Sequence, residues 1–205
     1  MNRLGRPRAF RLCLTPAVTL ACAAILLFAL VQVAHAGTIV VTTAVDESDG
    51  SCSDGDCSLR DALALAANGD TITFADNYTI VLNSQLEISK TVTLEGGGRA
   101  VTISGNNATR LFYIQAAGVV TFSHLSLVDG RVGAGAAGGG IYNNGGAVTL
   151  LDSILSGNQA VADGGGIHNL NGTLTIRNST LSANGPNPSF PPPSGAAASL
   201  TVAAS

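Results

Sequence analysis

The chain has 205 residues, 46% of them hydrophobic but only 11% charged and 4% aromatic. Beyond residue 36 it keeps all 13 acidic side chains but only 10 − 4 = 6 basic ones, a balance that argues against nucleic acid and anionic membranes as partners. Gly, Ala, Ser, Thr, Asn and Val dominate, a composition suited to short β-strands joined by tight corners.

Residues 1–36 read as a signal peptide. Arg3, Arg6, Arg8 and Arg11 precede an apolar run from Leu12 to Val33, and Ala34-His35-Ala36 gives a small-x-small cleavage pattern. A mature chain starting at Gly37 is therefore expected, secreted or held at the cell surface. The alternative is an N-terminal membrane anchor, since the apolar run is nearly long enough to span a bilayer. Residues 37–69 form an N-terminal cap. A strand at 38–45 leads into an acidic loop that carries Cys52 and Cys57. In an oxidising compartment this pair predicts a structural disulfide, with Ser-Asp-Gly-Asp as the turn between them. A metal or redox site is the other reading, but zinc needs about four ligands and no second Cys/His pair lies nearby. The spacing predicts a helix over 58–68, with Leu59, Ala62, Leu63 and Ala66 on one face. Ser58 is its N-cap, Asp61 completes an imperfect capping box, and Asn68-Gly69 ends it.

Residues 70–184 change to short strands, expected at 71–74, 78–82, 86–88, 91–94, 101–104, 111–115, 119–122, 125–128, 147–151, 154–155 and 173–176. One phrase occurs twice: Gly138-Gly-Gly-Ile-Tyr-Asn returns as Gly164-Gly-Gly-Ile-His-Asn, an offset of 164 − 138 = 26. Asp152-Ser-Ile-Leu-Ser-Gly-Asn158 likewise matches Asn178-Ser-Thr-Leu-Ser-Ala-Asn184. A trio marks successive rungs at Val92-Thr-Leu, Val120-Thr-Phe, Val148-Thr-Leu and Leu174-Thr-Ile, and the longer interval before the last pair places an insertion at 132–137. Such a period means a solenoid whose rungs bury their apolar side chains only by stacking. Asn143 should then lie beside Asn169, Ser153 beside Ser179, Leu155 beside Leu181 and Asn158 beside Asn184. After Asn184 the rung pattern stops. Residues 185–205 hold five of the seven prolines and read as a Pro/Ala-rich disordered tail, without the cap a solenoid end needs; a truncated form of a longer repeat protein is one expectation.

Cys57-Ser-Leu-Arg-Asp-Ala-Leu63, with Ala67-Asn68 and Asp70-Thr-Ile-Thr-Phe74, resembles the opening of bacterial exported proteins with a CSLREA-type domain, Asp61 standing where that family has Glu. Gly-Gly-Gly-Ile at 138–141 and 164–167 and Leu-Ser-x-Asn at 155–158 and 181–184 resemble the repeats of polymorphic outer-membrane and adhesin-like proteins, with Leu155 and Leu181 in place of the usual Phe. The resemblance covers 38–184. It implies an all-β, right-handed parallel β-helix with a short N-terminal capping helix, secreted or surface-displayed.

The functional expectation is a scaffold for adhesion or ligand display, with glycans or surface proteins as partners and no cofactor, metal or catalytic set. The alternative is a polysaccharide lyase or glycoside hydrolase. Its candidates are Asp129, Asp152 and Asp163, with Arg131 and Arg177 to meet an acidic sugar, because such cleavage needs paired carboxylates or a base with calcium-bound substrate. His124 and His168 have no evident second ligand set, and His168 replaces Tyr142 as at a tolerant surface position. Asp46, Glu47, Asp49, Asp54 and Asp56 are read as a solvated loop, since they lack the spacing of a calcium loop. No nucleophile elbow, P-loop or dinucleotide fingerprint is present.

Overall fold

A computed structural model describes residues 36–186. The expected signal peptide, apart from Ala36, and residues 187–205 of the expected tail lie outside them. Strand β1 (Thr38–Val41) and helix α1 (Leu59–Leu65) open the domain. Four turns follow: β2 (Asp70–Phe74), β3 (Tyr78–Val81) and β4 (Leu86–Ile88); β5 (Thr91–Glu95), β6 (Val101–Ser104) and β7 (Phe112–Ile114); β8 (Val119–Ser123), β9 (Ser126–Val128) and β10 (Ile141–Asn144); then β11 (Ala147–Leu151), β12 (Ile154–Ser156), β13 (Gln159–Ala160) and β14 (Ile167–Leu170). A last partial turn holds β15 (Thr173–Arg177), β16 (Thr180–Ser182) and β17 (Gly185–Pro186).

Every pairing between these strands is parallel, which makes the domain a β-solenoid. Sheet A runs β1-β2-β5-β8-β11-β15, sheet B runs β3-β6-β9-β12-β16, and sheet C runs β4-β7-β10-β14. Alternation along each strand sends every second side chain inward, and equal positions stack. Ile72, Leu94, Phe122, Leu150 and Ile176 form one inward column from sheet A. Ile80, Ile103, Leu127, Leu155 and Leu181 form another from sheet B. Leu86, Phe112, Ile141 and Ile167 complete the core from sheet C. Most of these side chains are fully buried, and each contributes about 1.5–3 kcal/mol of transfer free energy.

The four stacked pairs expected from the repeat are all present. Asn143 lies beside Asn169 and Leu155 beside Leu181 in the strand register. The Ser153 amide donates to Ser179 Oγ at 3.1 Å, and the Asn158 amide donates to Asn184 Oδ1 at 3.1 Å. The two inward asparagines of sheet C are satisfied along the axis: Asn143 Nδ2 donates to Asn169 Oδ1 (2.6 Å) and to the Gly146 carbonyl (3.0 Å). The glycine phrase earns its residues by close approach, because a Cβ on Gly139 or Gly165 would collide with the backbone of Gln159 or Gly185. The insertion also falls where expected. From Val128 to Ile141 is 13 residues, whereas the equivalent step from Ser156 to Ile167 is 11, and Ser156 pairs with Val128 and Ile167 with Ile141 throughout.

Three expectations need adjustment. The helix is shorter than 58–68, and its C-cap Ala66 is extended (φ −56°, ψ 138°). The cause is Lys90, whose Nζ donates to the carbonyls of Leu63, Ala64 and Ala66 at 2.7–3.1 Å and so satisfies the helix end a turn early. Strands β10 and β14, directly after glycines that read as corner alone, fall outside the expected set, as do the short β13 and β16. The ladder also reaches past Asn184: Gly185–Pro186 pairs with Gln159–Ala160 inside the expected tail.

The N-terminal cap shows why the Cys57–Leu63 motif is built as it is. Cys52 and Cys57 form the expected disulfide, with Cα atoms 4.3 Å apart. Ser58 Oγ accepts from the Asp61 amide as N-cap, and the buried Asp61 carboxylate accepts from Ser58 Oγ (2.7 Å) and the Gly50 amide (3.0 Å). Arg60 holds Asp46 in a two-pronged pair at 2.8–2.9 Å and donates to the Ser84 carbonyl, fastening the loop and helix to the first turn. Among the described residues no helix is long and apolar enough to cross a membrane.

Candidate functional site

The carboxylates expected to matter for cleavage are corner residues. Asp152 is in the left-handed region at φ 47°, and so are His124 (φ 54°) and Asn178 (φ 49°), at the same corner between sheets A and B on neighbouring turns. Asp129 is also left-handed (φ 54°) but at the next corner, beyond sheet B, where Gly157 and Ala183 repeat the conformation. Asp and Asn tolerate this region better than most residues, so the corners themselves account for these side chains. Asp163 lies in the loop before the second glycine phrase, and its carbonyl accepts from the Gly138 amide. The three carboxylates are thus dispersed over three different bends. Arg177 does not pair with Asp152; their only bond is backbone, Asp152 amide to Arg177 carbonyl at 3.1 Å. Arg131 bridges in parallel to Gln159 behind the insertion loop.

His124 does have partners. Its Nδ1 lies 2.9 Å from Glu95 and 3.0 Å from Ser123 Oγ, and its Nε2 is 4.0 Å from Asp152. Burial pushes the Glu95 carboxyl up, but hydrogen bonds from Ser123, the Gly97 amide and His124 outweigh it and hold its pKa below the usual range. Serine and carboxylate share one ring nitrogen here, so this is an exposed acid–imidazole chain along the corner and lacks the two-sided relay of a nucleophilic triad.

The outer face of sheet C is chemically the richest surface. Its outward positions Glu87, Tyr113, Tyr142 and His168 lie in one row, residue opposite residue on four neighbouring strands. The strand register alone forces their rings together. Tyr113 and Tyr142 stack at 5.4 Å with 7° between planes, and Tyr142 and His168 at 5.0 Å with 29°. Arg110 lies beside the row, its Cζ 5.2 Å from the Tyr142 centroid and 5.9 Å from that of Tyr113. Its guanidinium is fixed by donations to the Gly138 (2.9 Å) and Ala137 (2.9 Å) carbonyls and to Gln85 Oε1 (2.5 Å). Burial lowers its pKa, yet an arginine remains charged. The row continues in amides: Asn144 Nδ2 donates to the Tyr113 hydroxyl at 2.8 Å and Gln115 Nε2 to Glu87 Oε2 at 3.1 Å.

At the helix end the row opens into a cleft of about 430 Å³ lined by Arg60, Gln85, Glu87 and Lys90 among others. Both cations of that cleft already serve the fold, Arg60 on Asp46 and Lys90 on the helix carbonyls. The exchange of Tyr142 for His168 is therefore ring-for-ring within a stack. The sequence held the signal, one ring at the same place in both phrases, but Tyr113 and Arg110 precede the repeated phrase and were missed. The acidic loop brings carboxylate oxygens of the exposed Asp49, Asp54 and Asp56 within 4.8 Å of one another. Exposed acidic groups gather this way without an ion.

No protein-family model matches the chain, and no curated protein matches it. Among solved structures it is similar to the PL6 family alginate lyase AlyGC in a mutant form, at 18% identity and a TM-score of 0.46. The match covers 73% of this chain and 20% of that one, so the chain spans about a fifth of that enzyme's length. A likeness of this strength transfers no chemistry.

Proposed function

We propose that the protein is an exported β-solenoid scaffold that binds an extended glycan along the outer face of sheet C. The observation that carries this reading is the Glu87–Tyr113–Tyr142–His168 row with Arg110 fixed beside it. The ring faces are turned onto one another, so a ligand meets ring edges, hydroxyls, an imidazole and amides. These groups recur at about one strand spacing, so an extended polymer lying across the strands meets one of them at each turn of the solenoid. The groups are held by packing and by mutual hydrogen bonds, so little side-chain entropy is lost on binding. The disulfide, the acidic balance and the resemblance of residues 57–63 to CSLREA-type openings support an extracellular setting.

The test is binding of the purified protein to a panel of neutral and acidic polysaccharides, followed by titration of the best ligand. Replacing Tyr142 by Ala should weaken binding roughly tenfold, the effect of about 1.4 kcal/mol in lost contacts. Unchanged binding in Tyr142→Ala would move the site off sheet C. Release of unsaturated sugars from alginate or pectin, abolished by Asp129→Ala or Asp152→Ala, would replace the scaffold reading with a lyase.

A further inference from the structure

Sheet A carries a second periodic surface, of different chemistry. Thr38, Thr71, Thr93, Thr121, Thr149 and Thr175 are in register, one directly opposite the next across all six strands. Thr71, Thr93, Thr121, Thr149 and Thr175 lie between inward side chains and Thr38 between Gly37 and Ile39; all six point outward with at least part of their surface in solvent. None of the six hydroxyls is bonded to another described residue. Strand preference for β-branched residues is an insufficient explanation. The equivalent row on sheet B is broken by Ser126 and Ile154, and the row on sheet C contains no threonine.

The surroundings of the row narrow the ligand. On one side lie Thr91, Val119, Ala147 and Thr173; on the other Val40, Thr73, Glu95, Ser123, Leu151 and Arg177. No aromatic ring faces outward there, so the surface offers no stacking platform for sugars. Only Glu95 and Arg177 carry charge, both at one margin, and Glu95 is engaged by His124. What remains is one row of hydroxyls and methyls repeating at about 4.8 Å across the strands, flanked about 6.6 Å away along them by mixed small and apolar side chains, with Ser123 buried against His124. Threonine is stiff at χ1, so these groups are held in place before any ligand arrives. A ligand that uses every rung must itself be periodic, uncharged and able both to donate to and accept from hydroxyls. Ordered water in the hexagonal lattice has those properties, with an oxygen repeat close to one strand spacing.

We infer that the outer face of sheet A is an ice-binding surface, centred on Thr93, Thr121 and Thr149. Hydroxyls and methyls there hold a first layer of water in positions that an ice face continues. This site is distinct from sheet C and does not depend on the glycan reading.

The test is thermal hysteresis and ice-crystal shaping by the purified protein, with recrystallisation inhibition as a second readout. The wild type is expected to hold a gap between melting and freezing and to facet the crystal. Thr121→Tyr, in the middle of the row, should lose both, and Tyr142→Ala on sheet C should retain both. Circular dichroism and melting temperature establish that each variant is folded; if Thr121→Tyr is not, Thr149→Lys takes its place. A folded wild type that neither shapes ice nor slows recrystallisation would overturn the inference, as would full activity in both row variants. Adsorption to microcrystalline cellulose that is lost in Thr121→Tyr, without any effect on ice, would also overturn it, assigning the face to a crystalline glycan instead.

Discussion

Asn158 shows how much a single corner residue holds. Fully buried, it donates from Nδ2 to the Leu127 carbonyl, the Ser156 carbonyl and Asn184 Oδ1, and accepts from the Gly130 amide at 2.7 Å. Asn158→Ala should destabilise the protein by about 2–3 kcal/mol in urea unfolding, because it strands several buried groups at once. Asp70 offers a test in pH. The Ala67 and Gly37 amides donate to its carboxylate and, against the opposing effect of burial, keep its pKa below the usual range, with Lys90 assisting. A depressed carboxyl stabilises the fold above its unfolded pKa of about 3.9, and that contribution disappears as pH falls through the lower folded value. Asp70→Asn should therefore flatten the loss of melting temperature below about pH 4.

The elements differ in how openly the sequence announced them. Strands of sheet A were legible because their trios repeat intact, as in Val148-Thr-Leu and Leu174-Thr-Ile. Four threonines of the row stand in the repeated trios; Thr38 and Thr71 belong to turns of other lengths, and only the strand pairing brings them into line. The helix began where Ser58 predicted but ended early, because Lys90 is a tertiary partner 24 residues beyond Ala66. Lys90→Met should cost about 1 kcal/mol, read by denaturant midpoint, by leaving those carbonyls without their cation. Glycines divide in the same way. Gly139→Ala meets backbone and should be severely destabilising, whereas Gly133→Ala meets nothing within 4 Å and should be neutral in the same assay.

For the whole molecule, the repeat determines the plan and stacking determines the stability. Among the described residues, sealing is unequal along the axis. Helix α1 packs into the core beside Val41 and Cys57 at one end, whereas Leu174, Ile176 and Leu181 on the last described turn are only partly buried. In a solenoid stability is roughly a sum over neighbouring turns, so hydrogen exchange should be slowest in β5, β8 and β11 and fastest in β15 and β16. The surface was the least legible level: Tyr113 joins Tyr142 and His168 only because turns of unequal length still stack strand on strand.

The two extra residues between β9 and β10 have a wider consequence. They leave the neighbouring registers intact, so this bend separates chain length from architecture. Gly133 and Gly135 in that loop have open space around them, while Ala137 and Gly138 at its far end hold Arg110 against the rings. The loop is therefore a two-part bend: at Gly133 a side chain meets open space, whereas Gly135 is held to glycine by its positive φ of 74° and the far end keeps Arg110 beside the ring row. Substitution at Gly133 would change the surface of that bend and leave the strand registers on either side unchanged.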